Sequence, residues 1–413
     1  MERNIAIYLN SAGFGGAEML LLRFCTHLTK NSIPHYVVSE PDTFFGTELE
    51  NNGTIVISAR SAPIRATHYF VPYSAMIREA ILWASGFPEM KLLTWIISPN
   101  ESFTPNLPFM GFALRNFGYE AALVSSHIQF WQRKRLINLK QKLGVGGGLL
   151  LMDGATKRVA TYFLGEKIAN SIPLLPIPSP TGIKRLKKHK KEDGVLNIGY
   201  LGRIENMKFS ALSGFISNTL AYHSLCERVN LHLVGNGPRI DSVREACQAA
   251  GVYLFEYGFM ENEAARKVIV ENCDIGAAMG TAALDLAASG LPTIIIDPSL
   301  VDNFKPQEIF HFVHEIEEFT LGEYRDFPAY DSHGNTFRDV VSKLLSNRLL
   351  VSKEADYVEK HHDPENIFAK LLFYVFASDV EVGELIEDTA SLTSYINLVG
   401  RFRRRKNFGS LLS

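Results

Sequence analysis

Short apolar runs alternate along the chain with segments in which apolar residues recur every three or four positions. Residues 5–9 form the first apolar run, and Leu20, Leu21 and Phe24 then recur at helical spacing. Further strands are predicted in the first half at residues 36–38, 55–57, 92–97, 121–124 and 149–152, with helices between them. This alternation predicts a parallel α/β domain.

The pattern stops at a segment rich in proline and lysine and then begins again. Strands are predicted at residues 196–201, 229–234, 252–255, 275–278 and 293–296, and a looser region follows to about residue 337. We therefore expect an N-terminal domain at 1–180, a basic linker at 181–195, a second Rossmann-like domain at 196–365, and C-terminal helices with a basic tail at 366–413 that pack back on the first domain.

Composition narrows the function classes. The chain has 413 residues, enough for two ordinary domains, and its net charge of −2 argues against a nucleic-acid-binding protein. The four cysteines form no close pair, so neither a zinc cluster nor a disulfide framework is indicated. No signal peptide or long apolar segment is evident. A cytoplasmic protein is expected, either soluble or peripheral at the inner face of the membrane.

Residues 275–297 carry the strongest local signal for ligand binding. A strand leads through Gly280, Thr281 and Ala282 into a short helix, so unpaired N–H groups could reach a phosphate or diphosphate without obstruction. Thr281 is expected to cap this helix, and Asp285 to lie near the same opening. The competing interpretation is an ordinary strand–helix unit with good capping.

Other loops of the second half are expected to meet that segment. Loops that follow the strands of a doubly wound sheet share one edge, so Arg203 and Lys208 could face the same crevice. The other loop positions that this rule brings to the crevice are Gly235, Gly237 and Gly258. Two cations and a helix N-terminus suit a diphosphate.

The first half offers weaker candidates. Asn100 and Glu101 lie in the polar loop after one strand, and His127 follows the predicted strand 121–124. Each could contact substrate, although a solvated or structural role is the alternative. Trp131 with residues 133–135 resembles a nucleic-acid surface, but a solvated helix with a buried tryptophan is favoured. The basic tail is either a frayed end or a binding element for anionic lipid.

The chain resembles a glycosyltransferase of the two-domain GT-B fold, specifically the retaining group called family 4. The resemblance spans nearly the whole chain and depends on four motifs: GGAE at 15–18, LGRIENMK at 201–208, LVGNGP at 233–238 and LDLAASGLPTI at 284–294. It implies two Rossmann-like domains facing a cleft, the first binding the acceptor and the second a nucleotide sugar.

The resemblance also implies roles for individual residues. Arg203 and Lys208 would hold the donor diphosphate and carry the catalytic charge. Asp285 would bind the ribose, and Gly258 with Phe259 would contact the base. The remaining donor contacts that the resemblance implies are Gly15, Gly16, Gly235, Gly237, Gly280, Thr281 and Ala282.

Two features depart from the pattern of the group, the pair of glutamates and a histidine. Its first glutamate falls on Ala277 here, and its second position holds the shorter Asp285. The histidine common in the first domain is absent, so either Asn100, Glu101 or His127 takes its place or the sugar is activated differently.

The expected activity is transfer of a sugar, with retention, from a nucleotide-diphosphate sugar, most favourably a UDP-sugar, to a glycan or lipid-linked acceptor in bacterial surface polysaccharide synthesis. The resemblance implies no metal and no cofactor beyond the donor, and the absence of an Asp-x-Asp motif from the chain agrees with the metal independence usual for GT-B enzymes. A non-catalytic subunit that binds a partner transferase or glycan, and a nucleotide-sugar epimerase, are the alternatives.

Overall fold

The computed structural model describes residues 4–11, 15–72, 76–99, 107–179, 194–219, 226–299, 307–327, 330, 333–346 and 350–390. The chain divides into two compact units. Unit 1 contains Met1–Ala113, Ala121–Ile177 and the chain from Glu365 onward, and unit 2 contains Leu114–Glu120 and Pro178–Pro364.

Unit 1 is built on a six-stranded sheet of order β3-β2-β1-β4-β5-β6 in which every neighbouring pair is parallel. The strands are β1 Ile5–Tyr8, β2 His35–Val38, β3 Ile55–Ile57, β4 His68–Val71, β5 Lys91–Ile96 and β6 Leu149–Leu151. Strand β4, with the sequence HYFV, is absent from the prediction.

Among the described residues these strands are followed by the helices α1 Gly16–Lys30, α2 Phe44–Asn51, α3 Ile77–Ala84, α4 Pro108–Ile128, α5 Phe130–Val145, α6 Gly154–Leu164 and α7 Glu166–Ala169, of which α4 contributes Leu114–Glu120 to unit 2. Helix α14, Pro364–Ala377, also packs in this unit. Phe24 of α1 contacts both Phe70 of β4 and Phe368 of α14, with ring centroids 5.7 and 5.5 Å apart. Burial of these rings joins the C-terminal helix to the core of the first sheet.

Unit 2 repeats the plan with a five-stranded parallel sheet of order β11-β10-β7-β8-β9. Its strands are β7 Val195–Leu201, β8 Arg228–Val234, β9 Tyr253–Gly258, β10 Ile275–Ala278 and β11 Thr293–Ile295, and β12 Ile309–Phe310 with β13 Asn335–Thr336 form an antiparallel pair. Its helices are α8 Asn206–Thr219, α9 Ile240–Ala249, α10 Asn262–Asn272, α11 Thr281–Ala288, α12 Phe337–Ser346 and α13 Leu350–His362. The prediction of two doubly wound parallel-sheet units is confirmed.

The strand predicted at 121–124 is wrong, because these residues lie inside helix α4. Pro108 occupies the first turn of α4, where its missing N–H costs nothing. Met110, Ala113 and Leu114 are buried at the i, i+3, i+4 spacing of a helix. A four-residue apolar run cannot by itself distinguish a strand from a buried part of a helix.

One smaller prediction also fails. Trp131 lies on the predicted helix but is 69% exposed, so it is not a buried tryptophan. The described part of the region after β11 has little regular structure, as expected, although buried Asp297 and Gln307 are hydrogen-bonded there. Within the described residues, no helix combines the length and apolar character needed to cross a bilayer.

Candidate functional site

The site is at the edge of the second sheet where strands β7 and β10 end side by side. Tyr200 of β7 is in register with Ala277 of β10, and the two strands are parallel. The chain therefore leaves both strands at the same edge, so Gly202–Arg203 and Met279–Gly280 emerge next to each other.

Backbone hydrogen bonds join the loops at this edge. The Gly202 N–H donates to Val234 O over 3.1 Å, and the Gly235 N–H donates to Gly258 O over 2.8 Å. A Cβ atom on Gly235 would lie 2.0 Å from Gly202 O, and its φ of +145° is one that side chains disfavour. Gly235 therefore serves the packing of two loops, and Gly237 lies in the same loop.

Arg203, Glu205 and Lys208 form a charged group beside this edge. The Arg203 guanidinium is 3.1 Å from a Glu205 carboxylate oxygen and its side chain is 65% exposed. Burial and the charge of Arg203 lower the pKa of half-buried Lys208, and Glu205 opposes this effect. Lys208 lies in the first turn of α8 rather than in the loop predicted for it. Sequence reasoning missed Glu205, although it stands between the two cations in the motif.

Gly280 makes the turn that starts helix α11. Its φ of +60° and ψ of −140° are accessible mainly to glycine, and a Cβ atom there would meet nothing within 4 Å. Gly280 is the N-cap residue, so the prediction that Thr281 caps the helix is wrong. Thr281 and Ala282 are instead the first helical residues, whose N–H groups lack helical partners.

A buried polar cluster after β11 supports this turn. One Asp297 carboxylate oxygen accepts from the Glu323 N–H over 2.8 Å, and the other accepts from Gln307 Nε2 and the Tyr330 hydroxyl over 3.0 and 2.8 Å. Burial raises the pKa of Asp297 to about 6. The same segment accepts a 2.7 Å hydrogen bond from the Gly280 N–H at Leu321 O.

Asp285 and Ala277 lie deeper than the turn. The Asp285 residue in α11 is only 7% exposed, whereas Thr281 is exposed. Ala277 has no exposed surface and pairs with Ile294 as well as Tyr200 in the middle of the sheet. The position at which the resemblance expects a glutamate is therefore a buried strand residue. The ribose contact of Asp285 stays a prediction.

Strand β9, at the edge of this sheet, ends at Gly258. Gly258 is therefore not the loop residue that the sequence predicted. Phe259 follows it with 84% of its surface exposed. An exposed ring at the sheet edge is available to stack on a base, and that role also stays a prediction.

Comparison with known proteins relates this architecture to solved structures. No protein-family model and no curated protein matches the sequence. A glycosyltransferase from Rickettsia africae has 11% identity and a TM-score of 0.58 over 92% of this chain and 99% of that one. The apo lipopolysaccharide outer core galactosyltransferase WaaB has 12% identity and a TM-score of 0.56 over 91% and 99%.

A third match is Anabaena Alr3699/HepE in complex with UDP and glucose, with 12% identity and a TM-score of 0.50 over 91% of this chain and 100% of that one. The chain has the GT-B fold. Its two parallel sheets account for this likeness, which at such low identity concerns the fold alone.

In this GT-B chain, unit 1 contains the other predicted site residues. Gly15 is the N-cap of α1, and its N–H donates to Glu18 Oε2 over 2.8 Å. Gly16 is the first exposed residue of that helix. His127 is exposed near the end of α4, not at a strand end. Asn100 and Glu101 lie outside the described residues.

The geometry of unit 2 suits an anion with more than one negative charge. Arg203 and Lys208 supply two cations, and the first N–H groups of α11 follow the strand that ends at the same edge of the sheet. Glu205 balances Arg203 in the protein alone. An anion placed against Arg203 would compete with this exposed pair, which costs little to open.

Proposed function

We propose that the chain is a glycosyltransferase that moves a sugar from a nucleotide-diphosphate sugar, preferably a UDP-sugar, to a glycan or lipid-linked acceptor. The observation that supports this proposal is the parallel, in-register pairing of β7 with β10, because the loops that carry Arg203 and Gly280 therefore leave the sheet at the same edge. The structural likeness to WaaB and to HepE, whose structure contains UDP and glucose, supports it.

The proposed chemistry follows from how charge moves in the reaction. Cleavage of the sugar–phosphate bond leaves negative charge on the departing diphosphate, while the sugar becomes oxocarbenium-like. Arg203, Lys208 and the N–H groups of Thr281 and Ala282 would stabilise that diphosphate more strongly in the transition state than in the bound donor.

Retention would follow if the leaving phosphate itself takes the proton of the acceptor hydroxyl, so that no protein nucleophile is needed. Phe259 and the Gly258 backbone would contact the base, and Asp285 the ribose. Unit 1 would bind the acceptor, in synthesis of bacterial surface polysaccharide or a related glycoconjugate. The protein would act at the cytoplasmic face of the membrane.

Donor binding is tested by calorimetry of the full chain with UDP-, GDP-, ADP- and CDP-sugars. We expect binding of one nucleotide class, and loss of turnover in Arg203→Ala and Lys208→Ala by about 100-fold or more, which is typical for removing a charge from a transition-state clamp. Lys267 is exposed on α10, so Lys267→Ala is the matched control and should retain activity. Absence of binding to all four classes would refute the proposal.

A non-catalytic GT-B subunit is the second candidate. Burial of Ala277 within β10 favours it, because no side chain at that position could reach a donor sugar from the sheet interior. Release of UDP from a UDP-sugar by the purified chain, with or without acceptor, distinguishes the two. Turnover that depends on Lys208 excludes the non-catalytic subunit, and donor binding without turnover supports it.

A further inference from the structure

Unit 1 exposes apolar and basic side chains together where helices α4 and α5 join. Val124 on α4 is 68% exposed, and Phe130 and Trp131 on α5 are 54% and 69% exposed. His127, Lys134 and Arg135 are exposed in the same stretch. We call this the α4–α5 surface, and its members are Val124, His127, Phe130, Trp131, Lys134 and Arg135.

The α4–α5 surface has one sign of charge. The sequence contains no aspartate or glutamate between Glu120 and Asp153, although the whole chain has a net charge of −2. Lys142 of α5 is neutralised by Asp388 over 2.9 Å, whereas Lys134 and Arg135 form no ion pair with a described residue. The exposed cations of this surface are thus available to an anionic partner.

The exposed aromatic residues of the α4–α5 surface, Phe130 and Trp131, lie at the start of α5, close in sequence to Lys134 and Arg135. Trp131, Lys134 and Arg135 stand at i, i+3 and i+4, so they share one face of the helix. The rings of Phe130 and Trp131 meet edge to face, 5.6 Å apart and inclined by 74°. Such a pair does not offer two parallel faces for stacked bases, but it can insert between lipid headgroups, where tryptophan is favoured.

We propose that the α4–α5 surface docks the protein on an anionic phospholipid bilayer. The aromatic pair would enter the interface while Lys134 and Arg135 contact lipid phosphates. Two basic residues near an anionic surface contribute appreciable affinity, and apolar insertion supplies a second signal, as stable peripheral binding requires. The proposal is independent of the glycosyl transfer proposed above.

The test measures binding of the full chain to sedimented vesicles made of equal parts phosphatidylcholine and phosphatidylglycerol. Replacing Lys134→Gln together with Arg135→Gln should weaken binding about 25-fold, about five-fold for each charge. Trp131→Ser should weaken binding to these vesicles with no change in the salt dependence. Unmodified protein should bind pure phosphatidylcholine vesicles much more weakly, and its binding should fall as salt rises.

A matched control comes from α14 of the same unit. Phe373 is 67% exposed, its ring lies 5.5 Å from Tyr374 in a similar edge arrangement, and exposed Lys370 is one turn away. Lys370→Gln with Phe373→Ser should bind vesicles like the unmodified chain. Equal loss in this control, or no loss in the α4–α5 variants, would overturn the proposal.

Two further outcomes test the alternatives that the basic tail binds the vesicles and that a second copy of the chain covers the α4–α5 surface. Neutralising Arg403, Arg404 and Arg405 in the full chain separates the tail from the α4–α5 surface. If that change abolishes binding and the α4–α5 changes do not, the surface does not dock. If light scattering shows that Trp131→Ser dissociates a dimer without affecting vesicle binding, the occupant is a second copy and the proposal fails.

Discussion

Lys140 offers the sharpest test of the energetics of unit 1. It lies on α5 among buried Leu136, Leu139 and Leu143, it has no exposed surface, and its Nζ finds no hydrogen-bond partner in the described structure. Burial lowers the pKa of Lys140 from 10.5 to about 7. A buried ammonium without a partner is expensive, so the folded state favours the neutral amine.

The sign and size of the effect follow from proton linkage. Between pH 7 and 10.5 the unfolded chain holds more protons at Lys140 than the folded chain, so the free energy of unfolding rises with pH across that window. The fall in pKa corresponds to about 5 kcal/mol at roughly 1.4 kcal/mol per pKa unit. The penalty is full below pH 7 and disappears near pH 10.5.

Replacing Lys140→Met keeps a long side chain and removes the charge. We expect the variant to be more stable than the unmodified chain by up to about 5 kcal/mol at pH 7, with the difference reduced by roughly half at about pH 9. Urea unfolding followed by circular dichroism at both pH values measures this. Comparison of the two proteins at each pH cancels the titration of every other group.

Lys134→Met is the matched control, because Lys134 is exposed on the same helix and its loss should change the free energy of unfolding by no more than about 0.5 kcal/mol. A less stable Lys140→Met protein, or a stability difference that does not shrink as the pH rises, would show that Lys140 has a partner or reaches solvent.

Three other outcomes are expected from the structure. Gly235→Ala should lower the melting temperature strongly, because the new Cβ atom would lie 2.0 Å from Gly202 O. In the control Gly16→Ala the new Cβ atom meets nothing within 4 Å, so thermal unfolding should show a free energy of unfolding that is unchanged or raised by about 1 kcal/mol. Phe310→Ala should cost about 3–5 kcal/mol in urea unfolding, since this ring has no exposed surface and packs in the core of unit 2; a cost below 1 kcal/mol would contradict that packing. The pKa of Asp297 is raised from 3.8 to about 6, so its contribution to the free energy of unfolding is most favourable below pH 3.8 and falls by about 3 kcal/mol as the pH rises through 6. Asp297→Asn should abolish this trend in pH-dependent unfolding. An unchanged trend would assign it to another group.

Local pattern was sufficient for most of the architecture. Strands β1, β2, β5, β7, β8, β10 and β11 coincide with apolar runs, because a strand covered on both faces by helices needs apolar residues on both faces. The alternation with helical periods then determines parallel sheets and the shared edge at which Arg203 and Gly280 emerge.

Tertiary structure decided what the pattern left ambiguous. Residues 121–124 became helix because α4 runs unbroken through them, and Trp131 stayed exposed because the core face of α5 is occupied by Leu136, Leu139 and Leu143. Both outcomes depend on which face of a segment meets the rest of the unit, and a short window of sequence does not contain that information.

The site divides in the same way. Residue types and their spacing selected Arg203, Lys208 and the glycine turn at Gly280 as candidates, because cationic side chains and glycine turns can be recognised in a short stretch of sequence. The structure alone revealed that Glu205 pairs with Arg203, that Gly235 lets two loops approach closely, and that the segment held by Asp297 accepts the Gly280 N–H at Leu321 O. The approach of Gly235 to Gly202 and the hydrogen bond from Gly280 to Leu321 join segments that are distant in sequence, so only the folded chain brings them together.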